Sequence, residues 1–308
     1  VTTTDAFKVA YLANYPKTFY PTRGTLDGIT DGTKLLASPN YKFAVTKDGK
    51  HLEVPSIPTL TQALEMKVAD LRKAVENSGL KEISGQVRAP IAPELELWGA
   101  GVTYLRSRDA RKEESGVPDV YQRVYESERP ELFMKANARR TRGNGEKIGI
   151  RFDSAASVPE PEVAIYINKY KEIIGFAICN DMTARSIEGE NPLYLSQAKI
   201  YTGSTSLGPA ITPSWLAPKK EEMSIKAKIE RSSAIAWQAE TSLGALNRTL
   251  EDLVTYLFRC QQFPWGAVLS TGTGIVPPMD IKLEANDYVE IEVAGIGVLR
   301  NQVEVIQG

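Results

Sequence analysis

The sequence predicts an α+β protein of two domains, residues 1–88 as a small N-terminal α/β unit and residues 89–308 as a larger strand-rich unit. Three observations carry this. A hairpin signal and an amphipathic helix fill much of the first ninety residues. The segment Arg88-Ala-Pro-Ile-Ala-Pro93 then reads as an extended connector, because the residue before each proline is pushed out of the helical region. Beyond it the chain turns mostly to short runs of β-formers, interrupted by one clear helix.

The elements follow in order. Phe43-Ala-Val45 and Leu52-Glu-Val54 flank Asp48-Gly49, a strong hairpin dipeptide. Thr59 and Gln62 have capping-box spacing, Leu60, Leu64, Leu71 and Val75 repeat on one face, and Gly79 sits where a helix would stop. One helix is expected there. Strands are expected at 95–101, 163–167, 173–179, 225–230, 235–239, 268–271, 288–293 and 298–300. A helix over 249–262 turns Leu253, Val254, Leu257 and Phe258 inward, with Pro264 just past its end. The charge-dense stretch 106–129 and the arginine-rich stretch 136–147 read as long loops of the kind that cover binding sites.

Composition narrows the chemistry. With 308 residues the chain can build a substantial core, burying roughly three quarters of its extended surface. Lysine and arginine number 37 against 38 acidic residues, so no field exists to grip a polyanion and no nucleic-acid partner is expected. No long apolar run and no signal pattern appears, which points to a cytoplasmic protein without a membrane partner. Two cysteines are too few for a disulfide framework. The single histidine, His51, lies in the stretch Lys47-Asp48-Gly49-Lys50-His51, which reads as a solvated turn, so any catalysis must run on carboxylates, lysines, hydroxyls or an oxygen-held metal.

Val158-Pro-Glu-Pro-Glu-Val-Ala-Ile165 and Ile174-Gly-Phe-Ala-Ile-Cys-Asn-Asp181 are the most informative segments. Side chains at i and i+2 share a strand face, so Glu160 and Glu162 project together. A hairpin centred near Tyr170-Lys171 places Asp181 opposite Glu160. Two unit charges about 4 Å apart repel by roughly 4 kcal/mol at an effective dielectric near 20. The group must therefore take up protons or hold a cation. An all-oxygen set suits Mg²⁺, Mn²⁺ or Ca²⁺. The alternative is an edge strand whose prolines and charges discourage aggregation.

Together with Pro159-Glu-Pro-Glu-Val-Ala164, the blocks Gly175…Asn180-Asp-Met-Thr-Ala-Arg185, Lys199 before Leu207-Gly-Pro209, Pro130-x-x-Phe133-x-Lys135 and Ser270-Thr-Gly-Thr273 resemble the fumarylacetoacetate hydrolase family, over roughly residues 90–305. The resemblance implies a mixed β-roll catalytic domain in a homodimer or homotetramer. It also implies a divalent ion, Mg²⁺ with Mn²⁺ or Ca²⁺ as substitutes, held by Glu160, Glu162 and Asp181 and chelating a 2-oxo acid. Hydrolases of the family carry a histidine in Gly-x-Asn-Tyr-x-x-His; here Gly101-Val-Thr-Tyr-Leu-Arg-Ser107 puts Ser107 at that position and Thr103 at the asparagine. Hydrolytic water then lacks its activator.

The arginine-rich replacement and Glu131 resemble instead the branch that dehydrates 2-keto-3-deoxy sugar acids. A carbon–oxygen lyase converting a 2-keto-3-deoxy pentonate to 2,5-dioxopentanoate in pentose catabolism is the expectation. The alternatives are an acylpyruvate hydrolase, a 2-oxo acid decarboxylase or isomerase, or a non-catalytic 2-oxo acid binding protein. Lys199 is the candidate base, its ammonium expected to be weakened by a nearby divalent cation, and Glu131 the candidate acid/base toward C4 and C5. Arg106, Ser107, Arg108, Gly272 and Thr273 are the candidate substrate contacts.

Overall fold

The computed structural model describes residues 8–11, 43–47, 50–76, 81–83, 87–114 and 118–307. Strands β1 (Lys8–Tyr11), β2 (Phe43–Lys47) and β3 (Lys50–Glu53) precede helices α1 (Leu60–Leu64) and α2 (Val68–Glu76) and strand β4 (Lys81–Glu82). Strand β5 (Glu96–Gly101) leads into helices α3 (Leu105–Glu114) and α4 (Pro118–Glu126). Strands β6 (Glu131–Asn137), β7 (Thr141–Arg142) and β8 (Ile148–Arg151) come before the hairpin of β9 (Pro161–Ile167) and β10 (Ile173–Asp181). Helices α5 (Arg185–Glu190) and α6 (Leu195–Lys199) then lead to β11 (Thr205–Pro213). The chain ends with β12 (Ser224–Arg231), β13 (Ala234–Ser242), α7 (Leu250–Leu257), β14 (Ala267–Ser270), β15 (Tyr288–Val293) and β16 (Gly297–Ile306).

Among the described residues the strands form two mixed sheets. The larger runs β4-β3-β2-β1-β11-β10-β9-β14-β5-β6, with β7 parallel beside β11; the smaller runs β13-β12-β15-β16-β8. Strand β9 sits at the centre and is buried on both faces. Val163, Ile165 and Ile167 enter one apolar cluster with Ile225, Ile229, Ile291, Leu299 and helix α7. Ala164 and Tyr166, pointing the other way, join Phe43, Val45, Leu60, Leu64 and Leu207. A strand covered on both sides reads as a continuous apolar run, which is why 163–167 was legible without alternation.

Residues on both sides of the expected boundary at 88/89 share that second cluster, since β1 pairs antiparallel with β11 and carries β2–β4 onto the same sheet. The proline segment is buried at Ala89, Ile91 and Ala92, and Tyr166 Oη donates to the Pro90 carbonyl at 2.6 Å.

The sequence expectations meet the structure unevenly. The 43–54 hairpin pairs as expected, with Lys47 opposite Lys50, while Asp48 and Gly49 lie outside the described residues. The Thr59–Gln62 capping box is present, but the single helix expected beyond it is two. The break has a tertiary cause: the Val68 N–H donates to Glu172 Oε2 (3.0 Å) and the Met66 carbonyl accepts from Asn168 Nδ2 (2.8 Å), both from the β9–β10 turn. Gly79 lies outside the described residues. His51 is on β3 rather than in a turn, with Nδ1 2.9 Å from Thr46 Oγ1. The 249–262 helix ends early, at Leu257.

The largest correction concerns 106–129, read as a loop. It is the helix pair α3–α4. Arg248 clamps the end of α4, donating to the carbonyls of Val124 (3.3 Å), Ser127 (2.7 Å) and Glu128 (3.0 Å), where a helix leaves its last acceptors unmet. No helix among the described residues is long and apolar enough to cross a membrane.

Candidate active site

The β9–β10 hairpin builds the site. Asn168 holds its turn, Oδ1 accepting from the Tyr170 N–H (2.9 Å) and the Glu172 N–H (2.8 Å). The resulting register sets Asn180 opposite Pro161, and the Asp181 N–H donates to the Glu160 carbonyl at 2.9 Å. Position 181 thus faces 160 as the hairpin arithmetic requires. Glu160, Glu162 and Asp181 are all buried, and one oxygen of each lies within 4.8 Å of the others.

Cations ring this group. Lys199, at the end of α6, directs Nζ to Glu160 Oε2 (2.6 Å), Thr183 Oγ1 (2.7 Å) and Asp181 Oδ2 (3.2 Å). Lys135, on β6 and fully buried, sets Nζ 2.7 Å from Asp181 Oδ1 and donates to the carbonyls of Met182 (3.1 Å) and Lys199. Arg111, on α3, bridges Glu160 and Glu188, reaching Glu188 Oε2 at 2.8 Å. Among the described residues, Glu162 receives only neutral donors: the Ser270 hydroxyl and, at 2.9 Å, the Gly272 N–H. Gly272 has φ +91°, and a Cβ there would fall 2.0 Å from Thr103 Oγ1, so a side chain is excluded twice over. Thr103, at the family's asparagine position, donates Oγ1 to the Thr271 carbonyl (2.7 Å) and braces this turn.

The electrostatics follow from that unequal pairing. Burial alone would raise Glu160, but the Lys199 and Arg111 charges and hydrogen bonds win and hold it down at about 2. Burial raises Glu162, the Asp181 and Glu160 charges add to it, and it reaches about 8. For Lys199 burial opposes the ammonium, yet Asp181, Glu160 and Glu188 outweigh it and push the pKa up. This is the ion-free cluster; the expected lowering is that of an ammonium beside a bound divalent cation. Burial, then Glu188, raises Glu131.

The donor set fits a hard divalent ion. Glu160, Glu162 and Asp181 bring three carboxylate oxygens within 4.8 Å of one another with no histidine or thiolate among them, the oxygen-only donor set that such an ion takes. Glu162, raised by burial and then by the Asp181 and Glu160 charges, is the carboxyl that an added cation would relieve.

A single pocket gathers most of the expected residues: Ser107, Glu131, Glu160, Glu162, Asp181, Lys199 and Thr273 line it. The Ser107 hydroxyl donates to the Tyr104 carbonyl (2.8 Å), and Thr273 Oγ1 to the Pro161 carbonyl (2.9 Å). Gly272 stands behind Glu162 rather than in the wall. Arg106 and Arg108 are outside it as well. Arg106 is exposed and loosely paired with Glu113 (4.0 Å), while Arg108 binds Asp109 (2.6 Å) and covers the Tyr125 ring at 5.1 Å. Sequence reasoning missed Arg111 and Glu188, which do line the pocket. Ser107 and Arg111 are four apart and share a helix face, a signal readable only once α3 is known to be a helix.

The profile described as fumarylacetoacetate (FAA) hydrolase C-terminal matches residues 98–304. A Haloferax volcanii protein named "probable 2-keto-3-deoxyxylonate dehydratase" is 42% identical over 211 residues, 68% of this chain and 73% of that one. The 2-dehydro-3-deoxy-D-arabinonate dehydratase of Saccharolobus solfataricus is 37% identical over 223 residues, 71% and 74% of the two chains. A solved 2-keto-3-deoxy-D-arabinonate dehydratase, complexed with magnesium and 2,5-dioxopentanoate, superposes with a TM-score of 0.75 at 28% identity, over 90% of this chain and 99% of that one. The α+β roll expected from the sequence is the fold these proteins share.

Proposed function

Since the chain belongs to the fumarylacetoacetate hydrolase family, we propose that it is a magnesium-dependent hydro-lyase that converts 2-keto-3-deoxy-D-arabinonate to 2,5-dioxopentanoate. One observation carries the assignment to a lyase. The pocket combines three buried metal-type carboxylates with Glu131 and Lys199, and it offers Ser107, its hydroxyl spent on a carbonyl, where a hydrolase needs a base for water. The named dehydratases at 42% and 37% identity support the substrate class.

Glu160, Glu162 and Asp181 hold the ion, with Lys135 fixing Asp181 and Arg111 fixing Glu160 from behind. A bound Mg²⁺ supplies Lewis acidity toward the carboxylate and 2-oxo oxygens of the substrate, and its charge opposes the Lys199 ammonium. With the ion bound, Lys199 Nζ in its neutral amine form takes the C3 proton, the C3–H electron pair becomes the C3–C4 double bond, and the C4 hydroxyl departs. Glu131, whose environment favours the protonated carboxyl, delivers the proton that lets it leave as water. A further proton shift from C5 to C3 moves the double bond to C4–C5, and the resulting enol gains a proton at C4 as its hydroxyl proton is lost, which gives the aldehyde. Val102, Val120, Val124, Phe133 and Leu195 keep bulk water from this region.

Gly272 and Thr273 order the floor beneath the 2-oxo acid, and Arg106 and Arg108 act at the rim rather than on the reacting atoms. Residues 1–88 and 89–308 serve as the structural and the metal-holding portions of a cytoplasmic homo-oligomer working in pentose catabolism. Incubating pure protein and Mg²⁺ with the keto-deoxy acid and, separately, with acylpyruvates tests the reaction. A five-carbon semialdehyde from the first and no cleavage of the second is expected. Carbon loss, or activity that survives exhaustive chelation, overturns the reading.

A further inference from the structure

One polar group in the pocket has no part in the elimination. Glu188, on the short helix α5, is buried to 5% exposure and lines the cavity beside Glu131, whose pKa it helps to raise. Its ion pair is with Arg111 at 2.8 Å, and Arg111 holds Glu160 through its other nitrogen. A carboxylate kept solely for packing would lie inside the protein, away from the cavity. This one lines the cavity together with Glu131, close enough for its charge to act on that carboxyl.

We propose that Glu188, oriented by Arg111, is the residue that selects a hydroxylated substrate tail: it accepts a hydrogen bond from the C5 hydroxyl while Glu131 serves C4. The inference rests on the dehydratase reading for the identity of that tail. With the 2-oxo acid end fixed at Glu160, Glu162 and Asp181, the remaining carbons reach toward the Glu131–Glu188 wall. A tail lacking hydroxyls strips water from Glu188 and returns no donor, and a buried polar group left so discriminates strongly against the wrong ligand. Leu195 and Pro192 close the same end with apolar surface and offer the tail no competing acceptor side chain.

The test compares wild type, Glu188→Gln and Glu188→Ala in the presence of Mg²⁺. KM for 2-keto-3-deoxy-D-arabinonate is read beside Ki for 2-oxobutanoate, which has the same 2-oxo acid end and no hydroxyl. KM should rise about 10-fold in the glutamine variant and about 100-fold in the alanine variant, with Ki within twofold of wild type. The wild-type preference for that substrate over 4-hydroxy-2-oxopentanoate, which lacks the C5 hydroxyl, should collapse in both variants. Equal rises in KM and Ki would mean that Glu188 acts through Arg111 on the metal ligands, and unchanged KM would mean that it does not touch the tail; either overturns the proposal. The wild-type comparison of the two hydroxy acids stands even if a variant fails to fold, and absence of that preference refutes it. Should wild type not dehydrate the sugar acid, the dehydratase reading fails on its own. Calorimetric Kd values for the same three ligands then decide whether Glu188 recognises a hydroxyl.

Discussion

Lys135 and Asp181 form an ion pair sealed from solvent, Nζ 2.7 Å from Oδ1 with the two side chains 0% and 3% exposed. The same ammonium donates to the Met182 and Lys199 carbonyls, so one buried charge ties a metal-type ligand to the backbone of the candidate base. Removing one partner of such a pair leaves the other charged and dry, which costs about 3–5 kcal/mol. Lys135→Ala should lose that much stability in urea unfolding, and its Mg²⁺ affinity should fall by tenfold or more. A midpoint shift no larger than a surface substitution gives would show that the pair is not structural.

Metal binding should expel a proton. Glu162 stands near 8 in the ion-free cluster against an ordinary 4.5, so at pH 7 it is mostly protonated and must ionise to act as a ligand. Calorimetric titration of Mg²⁺ in buffers of differing ionisation enthalpy should report release of about one proton per ion at pH 7, falling toward zero above pH 9.

The same carboxyl sets how ion-free stability responds to pH. The folded protein retains this proton where the unfolded chain has lost it, so stability falls as pH rises from 4.5 to about 8. Glu160, held near 2, contributes in the opposite sense, its stabilisation present above 4.5 and lost as pH drops toward 2. Thermal scans of chelated protein should therefore show Tm declining between pH 5 and 8, and saturating Mg²⁺ should flatten that decline.

Gly101 sits directly across from Glu131 in the β5–β6 register, and a Cβ there would lie 2.0 Å from Glu131 Oε2. Gly101→Ala should displace the carboxyl without unfolding the strand, because the obstructing atom is the end of a side chain. Displacements of about 1 Å at reacting groups cost roughly 100-fold in rate. A kcat loss of that order with unchanged Mg²⁺ affinity is the expected result.

Three arginines in the α3 region should behave differently. Arg106→Ala and Arg108→Ala touch an exposed pair and a ring contact outside the pocket, and kcat/KM should change less than threefold. Arg111→Ala strands Glu160 and Glu188 together, and should cut kcat/KM by 100-fold or more. Steady-state kinetics on the three variants separates these outcomes.

How far the sequence could be read is clear from particular residues. The carboxylate hairpin was legible because strand periodicity and a turn centre fix which numbers face each other, and Asn180 opposite Pro161 follows the same sum as 160 and 181. Helix α3 was not, since its buried members Ser107 and Ala110 come with Arg111, whose burial is set by Glu160 forty-nine residues away. A polar helix held by distant charges has no apolar stripe to announce it. Strand β11 was hidden for another reason: Gly208-Pro209 reads as a breaker, yet a register shift between Phe176 and Ile178 on the neighbouring strand absorbs it. The break between α1 and α2 was likewise set from outside, by Glu172 and Asn168.

The Arg248 clamp has an evolutionary corollary. It fastens the C-terminal end of α4 to the body of the protein through main-chain acceptors, which any sequence in that helix would present. Val120, Tyr121 and Val124 can therefore be exchanged for other side chains with the roof still moored and the ion's carboxylates untouched. A library randomised at those three positions is a direct way to retarget this scaffold to longer or bulkier acids.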